Sequence, residues 1–476
     1  MMDRIQGNYA RRTLLIIGLL LFSAAVYAQN KLEGHWKGSI EIQGRHLTIK
    51  ADFQKDDGDY SGTLDIPAQG AVDLPLQKIT LSGRDSVSFQ FDAGPNIGRF
   101  KGLFEGDTTI NGTYYQAGRD FPFKLRSANP NNQHQYRPYH HKDLIIQNDS
   151  LAIGGTLTWP KNISADQLVI TLSGSGAHNR DEAIFGFKIF GTIADYLTRH
   201  GIAVFRFDDR GIGQSTGNLA NTTLEMLADD VGTIMNYFSQ QQDSIPSFQN
   251  ITLLGHSKGG LVGGIAAEEN SKVDKLILMS SPGLPLSEVL KYQYSRKIKK
   301  GPFTEEQKQH QIAAIKKMIT AVANDGEVDK AKENYNNQLL SYMKMLPDSV
   351  QSSLKTEVHS SNLTTAATKI TETRLRVAKE SKKTGMLTYN PVKDLTKVNI
   401  PVLVLFGGKD VQVTAAMNKE PIKQALQEAR VPYEFNIFPD ANHLYQHTQS
   451  KDAPYSTLKD EFVDGFLETI TDWIKA

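Results

Sequence analysis

The sequence predicts an α/β protein with a mostly parallel sheet, preceded by a small antiparallel β domain. Two patterns carry that reading. Up to about residue 127 apolar and polar residues alternate with period two; from residue 142 onward unbroken apolar runs alternate with amphipathic helical stretches. A third feature lies inside the second region: Gly255-His256-Ser257-Lys258-Gly259, a G-x-S-x-G between an apolar run at 251–254 and a glycine-rich segment at 259–264. Strand, sharp turn and helix in that order form the setting in which a serine is held exposed and strained as a nucleophile.

The bulk properties exclude several classes. The chain has 476 residues, which on a prior of ~150 residues each points to about three domains. A formal charge of +1 gives no reason to expect a nucleic acid or other polyanion as partner. There is no cysteine, so disulfides and thiolate chemistry are excluded. No residues have metal-finger spacing, and no metal or cofactor is expected.

The first 28 residues read as a signal peptide. Arg4, Arg11 and Arg12 supply a positive start, 14–26 is an apolar stretch of 13 residues, and Val26-Tyr27-Ala28 is a small-x-small cleavage site. A membrane span needs about 20 apolar residues, so no stable span is expected once the leader is removed. The mature chain is expected to begin near Gln29. Export without cysteine fits a bacterial periplasm or secretion better than a disulfide-stapled animal protein.

Residues 29–127 are read as the antiparallel domain. Ser39-Ile40-Glu41-Ile42, Leu47-Thr48-Ile49-Lys50 and Val87-Ser88-Phe89-Gln90-Phe91 alternate, with acidic glycine turns between strands. The opening Gly34-His35-Trp36 resembles the first-strand G-x-W of lipocalin-like barrels. A closed barrel and a plain sandwich both fit this pattern. Residues 128–141 are rich in turn formers and read as a linker.

Residues 142–284 and 391–476 read as the two parts of one α/β core. The runs at 168–172, 202–205, 251–254, 276–279 and 402–406 lack alternation, as expected of strands buried on both faces. Helices are expected at 187–200, 224–240 and 459–474. Between 285 and 390 the strands stop. Ile312, Ile315, Ile319 and Val322 share one helical face, as do Leu339, Tyr342, Met343 and Leu346. A helical insertion of that length is far beyond an ordinary connection. It is read as a cap over a site.

A serine hydroxyl needs an adjacent base, and the base needs an orienting carboxylate. In such an architecture the chain order is Ser, then Asp or Glu, then His. Downstream of Ser257, Asp410 ends Phe406-Gly407-Gly408-Lys409-Asp410 and His443 ends Phe438-Pro439-Asp440-Ala441-Asn442-His443. Each follows an apolar run, so all three are expected at the carboxyl edge of the sheet. Asp440 is too near His443 in sequence to serve as the acid, and His447 lies further past the strand. His256 is expected to pack. Arg180, Asp181, Asp209 and Arg210 are read as structural ion pairs rather than substrate ligands.

With those residues in place the chain resembles the α/β-hydrolase superfamily over 142–476. The resemblance rests on Gly255 to Gly259, Gly407-Gly408-Lys409-Asp410, Ala441-Asn442-His443 and Asp208-Asp209-Arg210-Gly211-Ile212-Gly213-Gln214-Ser215. It is nearest to bacterial serine esterases and serine aminopeptidase-like hydrolases. It implies a triad of Ser257, His443 and Asp410, an acyl-enzyme, and an oxyanion hole of two backbone N–H groups. One is assigned to Lys258. The other is assigned by position to Ser175, in Ser173-Gly174-Ser175-Gly176, where relatives often begin with His-Gly. The expected activity is cleavage of small carboxylic esters. An aminopeptidase or amidase on the same triad is the enzymatic alternative, and a non-catalytic binding protein is the alternative of another class.

Overall fold

A computed structural model describes residues 31–476 except 43–44, 57–58, 70, 84, 93–96, 107, 128–138, 149–150, 162–164 and 241–244. The leader read in residues 1–28 and most of the expected linker lie outside the described residues. The chain divides into two compact units. One holds the N-terminal strands and Ala183–Phe187; the other holds Pro138–Glu182 and Lys188–Ala476.

The first unit is a closed barrel, which decides between barrel and sandwich. Its strands are β1 (Gly34–Ile42), β2 (Arg45–Asp56), β3 (Asp59–Ile66), β4 (Ala71–Ser82), β5 (Ser86–Asp92), β6 (Ile97–Glu105), β7 (Thr109–Gln116) and β8 (Arg119–Ser127). Each pairs antiparallel with the next, and β8 returns to β1, with Gly38 opposite Leu125. The period-two sequence pattern turns every second side chain inward. Val87, Phe89 and Phe91 face Phe100, Phe104, Tyr114 and Phe123 in the interior. The Phe89 and Phe100 rings stack at 4.7 Å, and Phe123 meets Phe100 edge-on at 5.0 Å. A barrel of eight strands is just wide enough for its own side chains to fill. Glycine makes room for the rings: a Cβ on Gly98 would stand 2.3 Å from the Phe91 ring. The Trp36 indole is buried and donates to the Leu32 carbonyl at 2.8 Å, so its polar edge is satisfied.

The second unit carries an eight-stranded mixed sheet. Its strands are β9 (Tyr139–Asn148), β10 (Leu151–Pro160), β11 (Gln167–Leu172), β14 (Ala203–Phe207), β15 (Asn250–His256), β16 (Lys275–Met279), β17 (Val402–Gly407) and β18 (Tyr433–Phe438), in the order β18-β17-β16-β15-β11-β14-β10-β9. A two-strand ribbon, β12 (Ala183–Ile184) with β13 (Phe187–Lys188), lies outside this order. Six strands run parallel; β10 is antiparallel to them, and β9 is antiparallel to β10 and so points the same way as the six. The unalternating runs are explained by position. The strands β11, β15 and β17 are covered on both faces, whereas the edge strands β9 and β18 are partly exposed. The segment read as linker ends early: β9 begins at Tyr139, within 128–141, because Tyr139 to Lys142 pair with Pro160 to Leu157.

Helices α1 (Ile189–Arg199), α2 (Leu224–Ser239), α3 (Lys258–Glu269) and, after the insertion, α10 (Ala415–Ala429) and α11 (Phe466–Lys475) accompany the sheet. The last helix starts seven residues later than the sequence pattern predicts. Gly465, at φ +79°, sets a left-handed turn that helical backbone cannot continue through. Between β16 and β17 the chain forms α4 (Leu286–Lys299), α5 (Glu305–Ala323), α6 (Val328–Met343), α7 (Asp348–Glu357), α8 (Leu363–Lys383) and α9 (Pro391–Leu395). Apart from α9, whose Leu395 joins the core of the sheet, these helices have a core of their own, centred on Ile315, Met318, Ile319, Tyr335, Leu339 and Met343. Thr304 and Gln307 form a capping box at the start of α5, which fixes where that helix begins.

The glycines behind Ser257 differ in how tightly they are held. A Cβ on Gly259 would stand 2.0 Å from the Leu172 carbonyl oxygen, and one on Gly260 2.4 Å from the Ser281 hydroxyl. On Gly264 the nearest atom would be 3.6 Å away, an ordinary contact. Gly264→Ala should therefore keep or raise the melting temperature, since alanine is better in a helix by ~1 kcal/mol. Gly259→Ala should lower stability by ~1–3 kcal/mol or more as backbone shifts to admit the methyl group. Paired thermal melts compare them, and equal effects would contradict this packing.

Candidate active site

The elbow is built by steric exclusion. β15 ends at His256 and α3 begins at Lys258, so one residue must reverse the chain. Ser257 does so at φ +52° and ψ −114°, a left-handed conformation that a non-glycine residue adopts at a cost of about 1 kcal/mol. The turn is tight enough that a Cβ on Gly255 would lie 2.4 Å from the Gly259 backbone. That is why glycine stands on both sides of the serine at this spacing. The Ser257 N–H donates to the Met279 carbonyl at 2.8 Å, which ties the elbow to the neighbouring strand.

Asp410 and His443 meet at the same edge. His443 Nδ1 donates to Asp410 Oδ2 at 2.7 Å, and both side chains are buried. The other carboxylate oxygen of Asp410 accepts the N–H of Gln412 at 2.7 Å and of Val413 at 3.0 Å. With Nδ1–H engaged, the lone pair of a neutral His443 is on Nε2. The loops after β17 and β18 touch closely: a Cβ on Gly407 would stand 2.3 Å from the Asn442 carbonyl oxygen, and one on Gly408 2.6 Å from that of Pro439. Asn442 shapes the turn, its Oδ1 accepting the N–H groups of Leu444 and Gln446 at 2.9 Å each. The two competing residues lie elsewhere. Asp440 pairs with Lys409 at 2.9 Å, and His447 is exposed.

The loop after β11 lies beside Ser257. A Cβ on Gly174 would be 3.6 Å from the Ser257 Cβ. The loop is braced at each turn. Ser173 donates to Asp209 at 2.6 Å, the Gly174 N–H to Glu182 at 2.7 Å, and the His178 N–H to Asp209 at 2.9 Å. Among the described residues no hydrogen bond engages the N–H of Ser175 or of Lys258. Lys258 is the first residue of α3, where a helix leaves its N–H groups free and carries the positive end of its dipole.

The charged residues of the neighbouring loops are paired. The Arg180 guanidinium meets Asp208 at 2.7 Å, and also reaches Asp143, Thr156 and Gln214. Asp181 pairs with Arg206, and Arg210 with Asp230 at 2.7 Å. Asp208 is held in turn by its own loop, since Ser215 donates to its carbonyl at 2.8 Å and a Cβ on Gly213 would stand 2.4 Å from its carboxylate. The D-x-R-G-x-G-x-S stretch is thus a self-closing loop that anchors Arg180.

Sequence reasoning missed Glu182 and understated His256. Both are buried, at 0% and 2% exposure. Glu182 sits at φ +45°, another left-handed non-glycine residue, and its Oε1 takes His256 Nδ1 at 2.8 Å as well as the Gly174 N–H. His256 Nε2 donates to the His443 carbonyl at 3.1 Å. Burial alone would push the imidazole down, but the Glu182 carboxylate and the His443 carbonyl outweigh it and raise its pKa above the ordinary histidine value. Burial would likewise raise Glu182, yet the charge and hydrogen bond of His256 hold it below the usual carboxylate value. Lys258 is pushed down by burial, against the attraction of Asp209 and Glu182. No local sequence pattern marks Glu182, because its partners lie eight and 74 residues away.

These directions set a pH dependence. The raised His256 stabilises the fold below its unfolded value of ~6.5, and that contribution is lost as pH rises through the folded value. The lowered Glu182 stabilises above its unfolded value of ~4.3 and fails as pH falls through its folded value. The melting-temperature advantage of the wild type over Glu182→Gln should be widest near ~pH 6 and narrower near ~pH 10. A gap that is flat with pH would contradict the ion pair.

Among the described residues no group of acidic, histidine or cysteine side chains is placed to hold a metal ion, and no helix is long and apolar enough to cross a membrane. The chain is similar to several known hydrolases. The esterase EstD of Thermotoga maritima is 24% identical over 337 residues, covering 71% of this chain and 68% of its own. Among solved structures, a Pyrococcus furiosus esterase shares 16% identity over 64% of this chain and 84% of its own, with a TM-score of 0.39. An Exiguobacterium antarcticum esterase shares 17% over 70% and 98%, with a TM-score of 0.38. Residues 186–447, more than half of the chain and including Ser257, Asp410 and His443, match the family described as serine aminopeptidase, S33, and the chain belongs to that family within the α/β-hydrolase fold.

Proposed function

We propose that this protein is an exported serine hydrolase that cleaves carboxylic esters through Ser257, His443 and Asp410. The observation that carries the reading is the 2.7 Å His443–Asp410 bond at the sheet edge where Ser257 is held in a left-handed turn. His443 Nε2 takes the Ser257 proton as the oxygen attacks the carbonyl carbon, then returns it to the leaving alkoxide. Asp410 holds the imidazole orientation and stabilises the imidazolium. The free N–H groups of Lys258 and Ser175 receive the oxyanion, at the positive end of α3. An acyl-enzyme forms, and water releases the acid. The kinship with an esterase over 71% of the chain supports the ester as substrate. The helical insertion is read as a cap, with its own core and its place between β16 and β17 as support. Export rests on the leader pattern of residues 1–28, and a mature N-terminus at Gln29 is what terminal sequencing should find.

The family description favours a second reading, an aminopeptidase or amidase on the same triad. A substrate amine would need a carboxylate to anchor it. Asp208, Asp209 and Glu182 each already hold protein donors, which supports the ester reading. Short-chain p-nitrophenyl esters and aminoacyl p-nitroanilides assayed side by side separate the two.

Ser257→Ala should lower kcat on p-nitrophenyl acetate and butyrate by ~10⁴-fold or more, and Asp410→Asn by about 10³–10⁴-fold, with the fold intact by circular dichroism. Undiminished turnover by Ser257→Ala would remove the serine from the mechanism.

A further inference from the structure

The loop after β11, the elbow and the His443 loop come from distant parts of the chain, and one buried pair touches all three. We propose that Glu182 and His256 are a positioning pair that locks the oxyanion donor at Ser175 in register with the base His443. The inference rests on the reading of Ser257, His443 and Asp410 as a working triad and adds two residues to it.

The hydrogen-bond roles follow from the acceptors. The His443 carbonyl can only accept, so His256 Nε2 carries a proton. Glu182 Oε1 already accepts the Gly174 N–H at 2.7 Å and takes His256 Nδ1 at 2.8 Å. Both ring nitrogens of His256 therefore donate, and the ring is an imidazolium facing a carboxylate. The charges cancel where water cannot reach them. The bridge runs from the Gly174 amide through Glu182 and His256 to the backbone of His443, whose ring lies 4.9 Å from that of His256.

Each link constrains a group in the reaction. Gly174 precedes Ser175, whose N–H is the second oxyanion donor, so fixing the Gly174 amide aims the next peptide. His256 precedes Ser257, so its ring ties the elbow to both flanking loops. The bond to the His443 carbonyl holds the backbone of the base, while Asp410 holds its ring. His178, Lys258 and Asp410 are the other titratable side chains facing the pair, and among the described residues none of them makes a hydrogen bond to it. The remaining Glu182 oxygen, Oε2, is buried with no hydrogen-bond partner among the described residues.

The test is a kinetic cycle of Glu182→Gln, His256→Gln and the double variant on p-nitrophenyl butyrate. Each single change should lower kcat by about 10²-fold, the size expected when a reacting group is misplaced by an ångström. KM should stay within ~3-fold, because substrate binding is untouched. The double variant should be no worse than the weaker single, because the pair acts as one unit. Glu182→Gln preserves size and shape, so it reads positioning even if Glu182→Ala fails to fold. In 15N-histidine-labelled wild type, His256 should show two protonated ring nitrogens near ~pH 8, and Glu182→Gln should lose one. Retained kcat, losses that multiply in the double variant, or a singly protonated His256 would overturn the proposal. Turnover that survives Ser257→Ala would instead overturn the triad, and the nitrogen spectrum reads the pair independently of that result.

Discussion

The close approach of β15, α3 and the end of β11 at Ser257 is the constraint on which the site depends. Without a side chain at 255 or 259 the strand can turn directly into the helix, and the serine is left as the turning residue. The same approach brings the free amide of Lys258 to the start of a helix and places the loop after β11 within contact of Ser257. Strain at one residue is held by packing on every side, as expected of a conformation that the surroundings over-determine.

Around that turn, charge organises the loops. Arg180 bound to Asp208, Asp181 bound to Arg206, and Glu182 bound to His256 are three consecutive residues anchored to the loop after β14, to β14 itself and to β15. The Glu182–His256 pair is shielded from water, so removing one partner strands the other at a cost of about 3–5 kcal/mol, whereas Arg180 and Asp181 are partly exposed. The loop after β11 has no regular secondary structure of its own, and these anchors hold it in place. The helical insertion is stabilised differently, by an apolar core separate from that of the sheet.

Most of the architecture was legible in the sequence because it follows from periodicity. Alternation at 87–91 marked β5 of the barrel, and unbroken apolar runs marked the buried strands β11, β15 and β17. Asp410 and His443 could be picked out because each follows such a run, and the structure joins them. Closure of the barrel could not be read, since pairing of β8 with β1 depends on strand stagger rather than on local pattern. The start of β9 was hidden by a turn-rich composition, though Tyr139 lies opposite Pro160 in the hairpin. His256 looked like packing because strand alternation points it away from Ser257. Its roles with Glu182 and His443 depend on contacts across 74 and 187 residues, which no window of sequence contains.

The central claim is that Ser257 is the nucleophile. Peptide mapping by mass spectrometry after treatment with a fluorophosphonate tests it most directly. The account predicts a single stoichiometric adduct on Ser257, lost when His443 is replaced by alanine. An adduct on another residue, or ester turnover that persists with Ser257 unlabelled, would contradict it.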